Sequence, residues 1–334
     1  MEEEHRRHLW ALYGWFSGLM CVGSVFGAVA WAAWMQFLVA LYSTYTTSPT
    51  PPMSQLQSFN AQSDYWAAAF YVPYAIEFLC LSAAKLLVLH RMAEFSVAKG
   101  DGMRMRLAVG GRVVMAAVVV GNVVGLCGNV TAAVYSKKAG DAFSDSAAAY
   151  ATNSTNAAVN FNNQANQMVS NLDVATSVQY FCEVVVLLVI ILAFAVVGIA
   201  SARLLSSALR HVTQQHGPAG RQLQRQILGT TSFVFVTFLL RAVFSSMNAL
   251  GNSLQNGGAA CAAADLNPCD ATCFNLWWLM LQWMTLTPEF QLIVVLISSP
   301  LALLVALWGM TSERTLQHMS SSRGQTVALP LRTQ

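Results

Sequence analysis

Charge is what this sequence has least of. Only 10% of its 334 residues are Asp, Glu, Lys or Arg, where an ordinary soluble domain carries about 25%. From Leu9 to Ser63 there are none at all, while 55% of the chain is hydrophobic. That composition is one of an integral membrane protein in contact with a lipid bilayer. The net charge is only +3 and the basic residues are dispersed, so no nucleic-acid partner is implied. Other absences narrow the chemistry. The last apolar run, Cys273 to Met310, contains no lysine, which excludes a retinal Schiff base of the usual kind. His90 is the one histidine in an apolar run and sits at its end, so paired haem ligands are lacking. Neither HExxH nor GxxxxGK occurs, and His5, His8, His211, His216 and His318 lie outside the apolar runs with no motif around them. No cofactor and no metal are expected, and nothing points to an enzyme.

Six apolar runs remain, over about Leu9 to Tyr45, Tyr65 to His90, Leu107 to Tyr135, Val178 to Leu205, Ile227 to Leu250 and Cys273 to Met310. Each exceeds the ~20 residues a helix needs to cross ~30 Å of hydrocarbon. The expected fold class is all-α, a polytopic transmembrane bundle of six spans, or seven if the last run, which contains Pro288 and Pro300, is split. The first run has no small-residue cleavage site followed by a polar mature start and reads as a retained anchor. Residues 1–310 then form a single membrane domain with outer loops 46–64, 136–177 and 251–272, followed by a polar, disordered tail over 311–334.

Lys and Arg set the orientation, because cytoplasmic loops carry their excess. Arg6 and Arg7 precede the first run. Arg91, Lys99, Arg104, Arg106 and Arg112 lie between the second and third, Arg203, Arg210, Arg221 and Arg225 between the fourth and fifth, and Arg314, Arg323 and Arg332 after the last. The three opposite segments hold only Lys137 and Lys138. This split predicts six crossings with both termini in the cytoplasm, in an endomembrane or the plasma membrane.

Features suited to a non-cytoplasmic face fall on the other side. Asn153-Ser154-Thr155 is a glycosylation acceptor in the long 136–177 segment, whereas the second sequon, Asn129-Val130-Thr131, lies inside a span. Cys261, Cys269 and Cys273 cluster at the last outer loop with Cys182 near the outer end of the fourth span, so an oxidising compartment would favour a disulfide among them. Gly23-xxx-Gly27 and Gly121-xxx-Gly125 allow close helix approach. They serve packing within one subunit or, alternatively, an oligomer.

The few charges inside the spans are the candidate site. Arg241 lies in the middle of the fifth run, and an ionised group at that depth costs at least ~2.5 to 3.5 kcal/mol on insertion scales unless it faces a partner. Glu77 and Glu289 sit near the centres of other runs, Glu183 near the start of the fourth, and Lys85 two turns from Glu77. The expected network is Glu77, Lys85, Arg241 and Glu289, with Arg241 paired to Glu289 or Glu77. Two acids and two bases sum to zero, as a closed structural network would; a pore more often shows one sign of charge. The leading reading is therefore a receptor-like or scaffold protein whose loops 91–106 and 203–225 face cytoplasmic partners. The alternative is a transporter or channel using Glu77, Arg241 and Glu289.

Ala202-Arg203-Leu204 through Arg210, the short polar loop with Arg221, Phe238-Leu239-Leu240-Arg241, Asn275-Leu276-Trp277-Trp278 and Pro288 together resemble the last three helices of the plant tobamovirus-multiplication membrane proteins, a seven-helix receptor-like family. Spans two to six can be laid on that family's third to seventh helices in the same orientation. A first helix is missing here, segment 136–177 is long, and the cysteine-bearing loop is an addition. The resemblance implies recruitment of cytoplasmic partners, small GTPases among them.

Overall fold

The computed structural model describes residues 2–46, 51–96, 101–212, 229, 232–233 and 235–250, together with 279, 283, 301 and 304. The last apolar run beyond these isolated positions, the outer segment 251–272 and the tail 311–334 lie outside the described residues. The elements are α1 (Glu2–Thr46), α2 (Met53–Ser96), α3 (Asp101–Ala151), α4 (Thr155–Val212) and a shorter apolar helix, α5 (Phe235–Leu250). Among the described residues there is no strand, and α1 to α4 are each long and apolar enough to cross a membrane.

Consecutive helices run antiparallel, as their contacts require. Gly23 and Gly27 of α1 face Cys80 and Glu77 of α2, while Gly121, Gly125 and Gly128 of α3 face Val186, Cys182 and Gln179 of α4. A β-carbon on Gly27 would stand 2.9 Å from the Glu77 carboxyl carbon, and one on Gly128 would stand 3.1 Å from Gln179 Cβ. Both glycine pairs therefore serve packing inside one subunit, where the missing side chain lets helix axes approach. α2 continues through Pro73; a membrane helix tolerates the lost N–H where neighbouring groups satisfy the freed backbone. On the lipid side α1 exposes Trp15 at one end and Tyr42 at the other. Their 27-residue separation is about 40 Å of helix, close to the full thickness of a bilayer with its headgroups.

The core stacks in three layers along the helices. Phe78, Leu81, Val88, Leu187, Phe194 and Phe238 form one, with Phe16 of α1 against it. Ala30, Ala33, Phe70, Tyr71, Tyr74 and Leu172 form the second, where Phe70 is stacked on Tyr74 with ring centroids 5.0 Å apart. The third holds Ala61, Ala139, Ala142, Phe143 and Ala165.

That third layer corrects the expected loops. Segment 136–177 is helical except for a turn at 152–154, and residues 53–64 of the expected loop 46–64 belong to α2. α3 has 51 residues and α4 has 58, so at 1.5 Å per residue they run roughly 77 and 87 Å, more than twice the hydrocarbon thickness. The excess forms a three-helix stalk from the start of α2, the end of α3 and the start of α4. Alanine supplies both strong helix propensity and a surface small enough for close packing. At Gly140 a β-carbon would meet the Tyr65 ring at 3.0 Å and the Ala61 carbonyl oxygen at 3.2 Å. Polar ties complete it: Tyr65 OH donates to Asp141 Oδ1 at 2.9 Å, Ser136 Oγ to the Asp64 carbonyl at 2.8 Å and Ser146 Oγ to the Ala158 carbonyl at 2.9 Å.

The turn at the tip is a Schellman cap. Ser154 N–H donates to the Ala149 carbonyl and Asn153 N–H to the Tyr150 carbonyl, while Asn153 takes φ of 57°. Asparagine tolerates this left-handed conformation better than other residues with a β-carbon.

Candidate functional site

Lys85, Glu183 and Arg241 are among the most buried side chains of the bundle, with 1%, 2% and 1% of their surface exposed. Helical spacing explains how α5 delivers its arginine. Thr237, Phe238, Arg241, Ala242 and Ser245 share the buried face, and Val236, Leu239, Leu240 and Val243 point outward. The polar Thr237, Arg241 and Ser245 thus face inward together with Phe238, Ala242 and Phe244, and the outward face is apolar, unlike the polar outer face of a soluble amphipathic helix.

Arg241 meets Glu183 of α4. Its Nη2 and Nε lie 3.3 and 3.4 Å from Glu183 Oε1, and Nη2 also donates to the Tyr74 hydroxyl of α2 at 3.3 Å. Tyr74 OH in turn donates to Glu183 Oε2 at 2.8 Å, so the phenol accepts from the cation and donates to the anion. Ser245, one turn from Arg241, donates to Oε1 at 2.9 Å, and Gln179, one turn from Glu183, donates Nε2 to Oε2 at 3.2 Å. Each carboxylate oxygen thus accepts from two residues, which fills the roughly four lone-pair directions a carboxylate offers.

The expected partner of Arg241 was Glu289 or Glu77; the described partner is Glu183. The shift follows from α4 starting at Thr155 rather than near 178. Glu183 then lies well inside a long helix, level with Tyr74, instead of at a span's beginning. Glu77 sits one turn from Tyr74 on α2, buried at 5% exposure, with its carboxyl against Gly27 of α1. Its Oε2 has no hydrogen-bond partner among the described residues. Lys85 carries its Nζ 4.6 Å from the centroid of the Phe238 ring, one turn from Arg241 on α5, a cation–π geometry. Glu289 lies outside the described residues.

Arg241 and Lys85 are thus gathered around α5, and Glu77 borders them from the α1 side. Tyr74, Ser245 and Gln179 were not anticipated. Tyr74 had one available signal, its place three residues before Glu77 on the face that also carries Phe78, Leu81 and Lys85. Next to Glu183 the α2–α3–α4 junction holds a partly open pocket of about 10 Å³, bordered also by Asn122, Asn129 and Gln179.

The remaining expected sites are separate. Asn153 is exposed at the stalk tip. Cys182 is a free, half-buried thiol facing Gly125 of α3; its expected bridge partners, Cys261, Cys269 and Cys273, lie outside the described residues. Among the described residues no cluster of three or more His, Cys, Asp or Glu could hold a metal ion. No protein family, characterised protein or solved structure matches the chain.

Proposed function

We propose that the chain is a receptor-like or scaffold integral membrane protein that binds cytoplasmic partners through loops 91–106 and 203–225. It crosses the membrane six times with both termini cytoplasmic, in an endomembrane or the plasma membrane. The observation that carries this reading is the saturation of Glu183: its carboxylate oxygens accept from Arg241, Ser245, Tyr74 and Gln179. A carboxylate with every lone pair engaged, beside a guanidinium, has nothing left to offer a passing ion. It acts as a lock between α2, α4 and α5, as expected where a rigid bundle presents loops to partners. The resemblance to the tobamovirus-multiplication family supports small GTPases as the partner class. The exposed tip supports glycosylation at Asn153, and one bridge among Cys182, Cys261, Cys269 and Cys273 remains part of the proposal.

A second reading, transport, rests on Glu77, whose Oε2 is buried without a hydrogen-bond partner among the described residues. One pair of measurements separates the two. Purified protein is offered small GTPases in nucleotide-bound and nucleotide-free states, and the same preparation in liposomes is assayed for proton, Na⁺, K⁺ and Cl⁻ flux. The scaffold reading expects saturable binding, lost when loops 91–106 and 203–225 are replaced, and no flux above empty liposomes. Flux abolished by Glu77→Gln, with no binding, would overturn it. Protease protection of terminal tags tests the crossings: a C-terminal tag on the luminal side excludes six.

A further inference from the structure

α3 is mainly valine and glycine where it spans, yet it carries two amides, Asn122 and Asn129, that border the cavity beside Glu183. Asn129 is 3% exposed, its Nδ2 donates to the Gly125 carbonyl at 3.1 Å, and its Oδ1 has no hydrogen-bond partner among the described residues. The bond back to Gly125 fixes which end of the amide is oxygen, so the free atom is an acceptor. Asn122 Oδ1 is a second buried acceptor in the same condition. Leaving such an oxygen unpaired in an apolar interior costs of the order of a lost hydrogen bond.

The cavity limits what can satisfy them. Its volume of about 10 Å³ matches the space one water needs. The occupant has to donate, because the free atoms are carbonyl oxygens. It has to be neutral, because the only carboxylate on the wall already accepts from four residues and a cation would have the Arg241 guanidinium as a neighbour. We propose that the α2–α3–α4 junction is a binding site for a single water molecule, held on Asn129 Oδ1 beside the Glu183 cluster. Asn122 lies two turns away, about 10 Å along the helix, too far for one water to hold both backbones in a close bridge. It is instead a second acceptor that a water meets on its way in or out. The glycines make the site possible: with Gly121 and Gly125 on the same wall, α3 approaches α4 closely enough to form it.

The test is an experimental structure of the full chain in lipid nanodiscs, at a resolution where ordered water is visible, for the parent, Asn129→Leu and Asn122→Leu. Density within hydrogen-bond distance of Asn129 Oδ1 is expected in the parent and in Asn122→Leu, and its loss in Asn129→Leu. A parent without that density overturns the proposal. Melting temperatures in NaCl, KCl and choline chloride at equal ionic strength provide the second arm. Equal values are expected, and a rise specific to one alkali cation, absent in Asn129→Leu, identifies a cation site and overturns the water assignment. Should Asn129→Leu fail to fold, the parent density and its salt series still decide.

Discussion

The hydroxyl of Tyr74 lies 2.8 Å from Glu183 Oε2, at the point where α2 and α4 run side by side through the bundle. Because the Tyr74 hydroxyl oxygen also accepts from Arg241 Nη2, one phenol ties three helices, and removing any member leaves the others with buried, unmatched polarity.

The ion pair gives the largest expected effect. Arg241→Leu or Glu183→Leu alone should destabilise by about 3 to 5 kcal/mol, since each strands an uncompensated buried charge, whereas the double replacement should recover most of the loss. Thermal unfolding in detergent reads both. A double mutant no better than the singles would refute the pairing.

Tyr74→Phe keeps the ring stacked on Phe70 and deletes the hydroxyl. Its cost should be about 1 kcal/mol, the scale measured for polar contacts between membrane helices. A change indistinguishable from zero in the same unfolding assay would show that the phenol only fills space.

Glycines divide sharply by position. Gly121→Leu drives a side chain into Val186 across the α3·α4 contact and should cost about 1 to 3 kcal/mol. Gly111→Ala meets nothing within 4 Å and should be neutral or stabilising by up to about 1 kcal/mol, because the unfolded chain loses freedom. Comparable losses at both sites in a melting series would contradict the packing role.

At the stalk tip, Asn153 occupies a left-handed conformation. Asn153→Gly should preserve the turn, and Asn153→Val should cost roughly 1 to 2 kcal/mol. Hydrogen exchange across 136–177 reports it: strong protection in the parent and in the glycine variant, faster exchange around the tip in the valine variant. Uniformly rapid exchange in the parent would mean the stalk is not helical.

Much of this bundle was legible because lipid imposes simple constraints. The scarcity of charge marked the apolar helices, and the depth of Arg241 marked it as a residue requiring a partner. What was misread has one cause. Segment 136–177 is polar, and its composition alone suggests a loop, although Ala139, Ala142, Phe143, Ser146 and Ala149 recur at helical spacing. Apolar content locates the part of a helix that lies in lipid and is silent about how far the helix continues in water. A fourth helix that began near Val178 would leave Glu183 at its margin, whereas α4 starting at Thr155 carries Glu183 well inside the bundle, level with Arg241. Tyr74, Ser245 and Gln179 depend on which faces of three helices meet, and spacing along a single helix does not contain that.

The stalk has a mechanical consequence. α4 runs without a break from Thr155 at the tip to Glu183, about 42 Å of helix, with α2 beside it from Met53 to Tyr74. The residues that grip Arg241 therefore lie on two stiff rods whose far ends form the stalk. A tilt imposed on the stalk is carried along those rods and arrives at the Glu183 carboxylate as a sideways displacement. The lock that holds α5 is in this sense geared to the stalk.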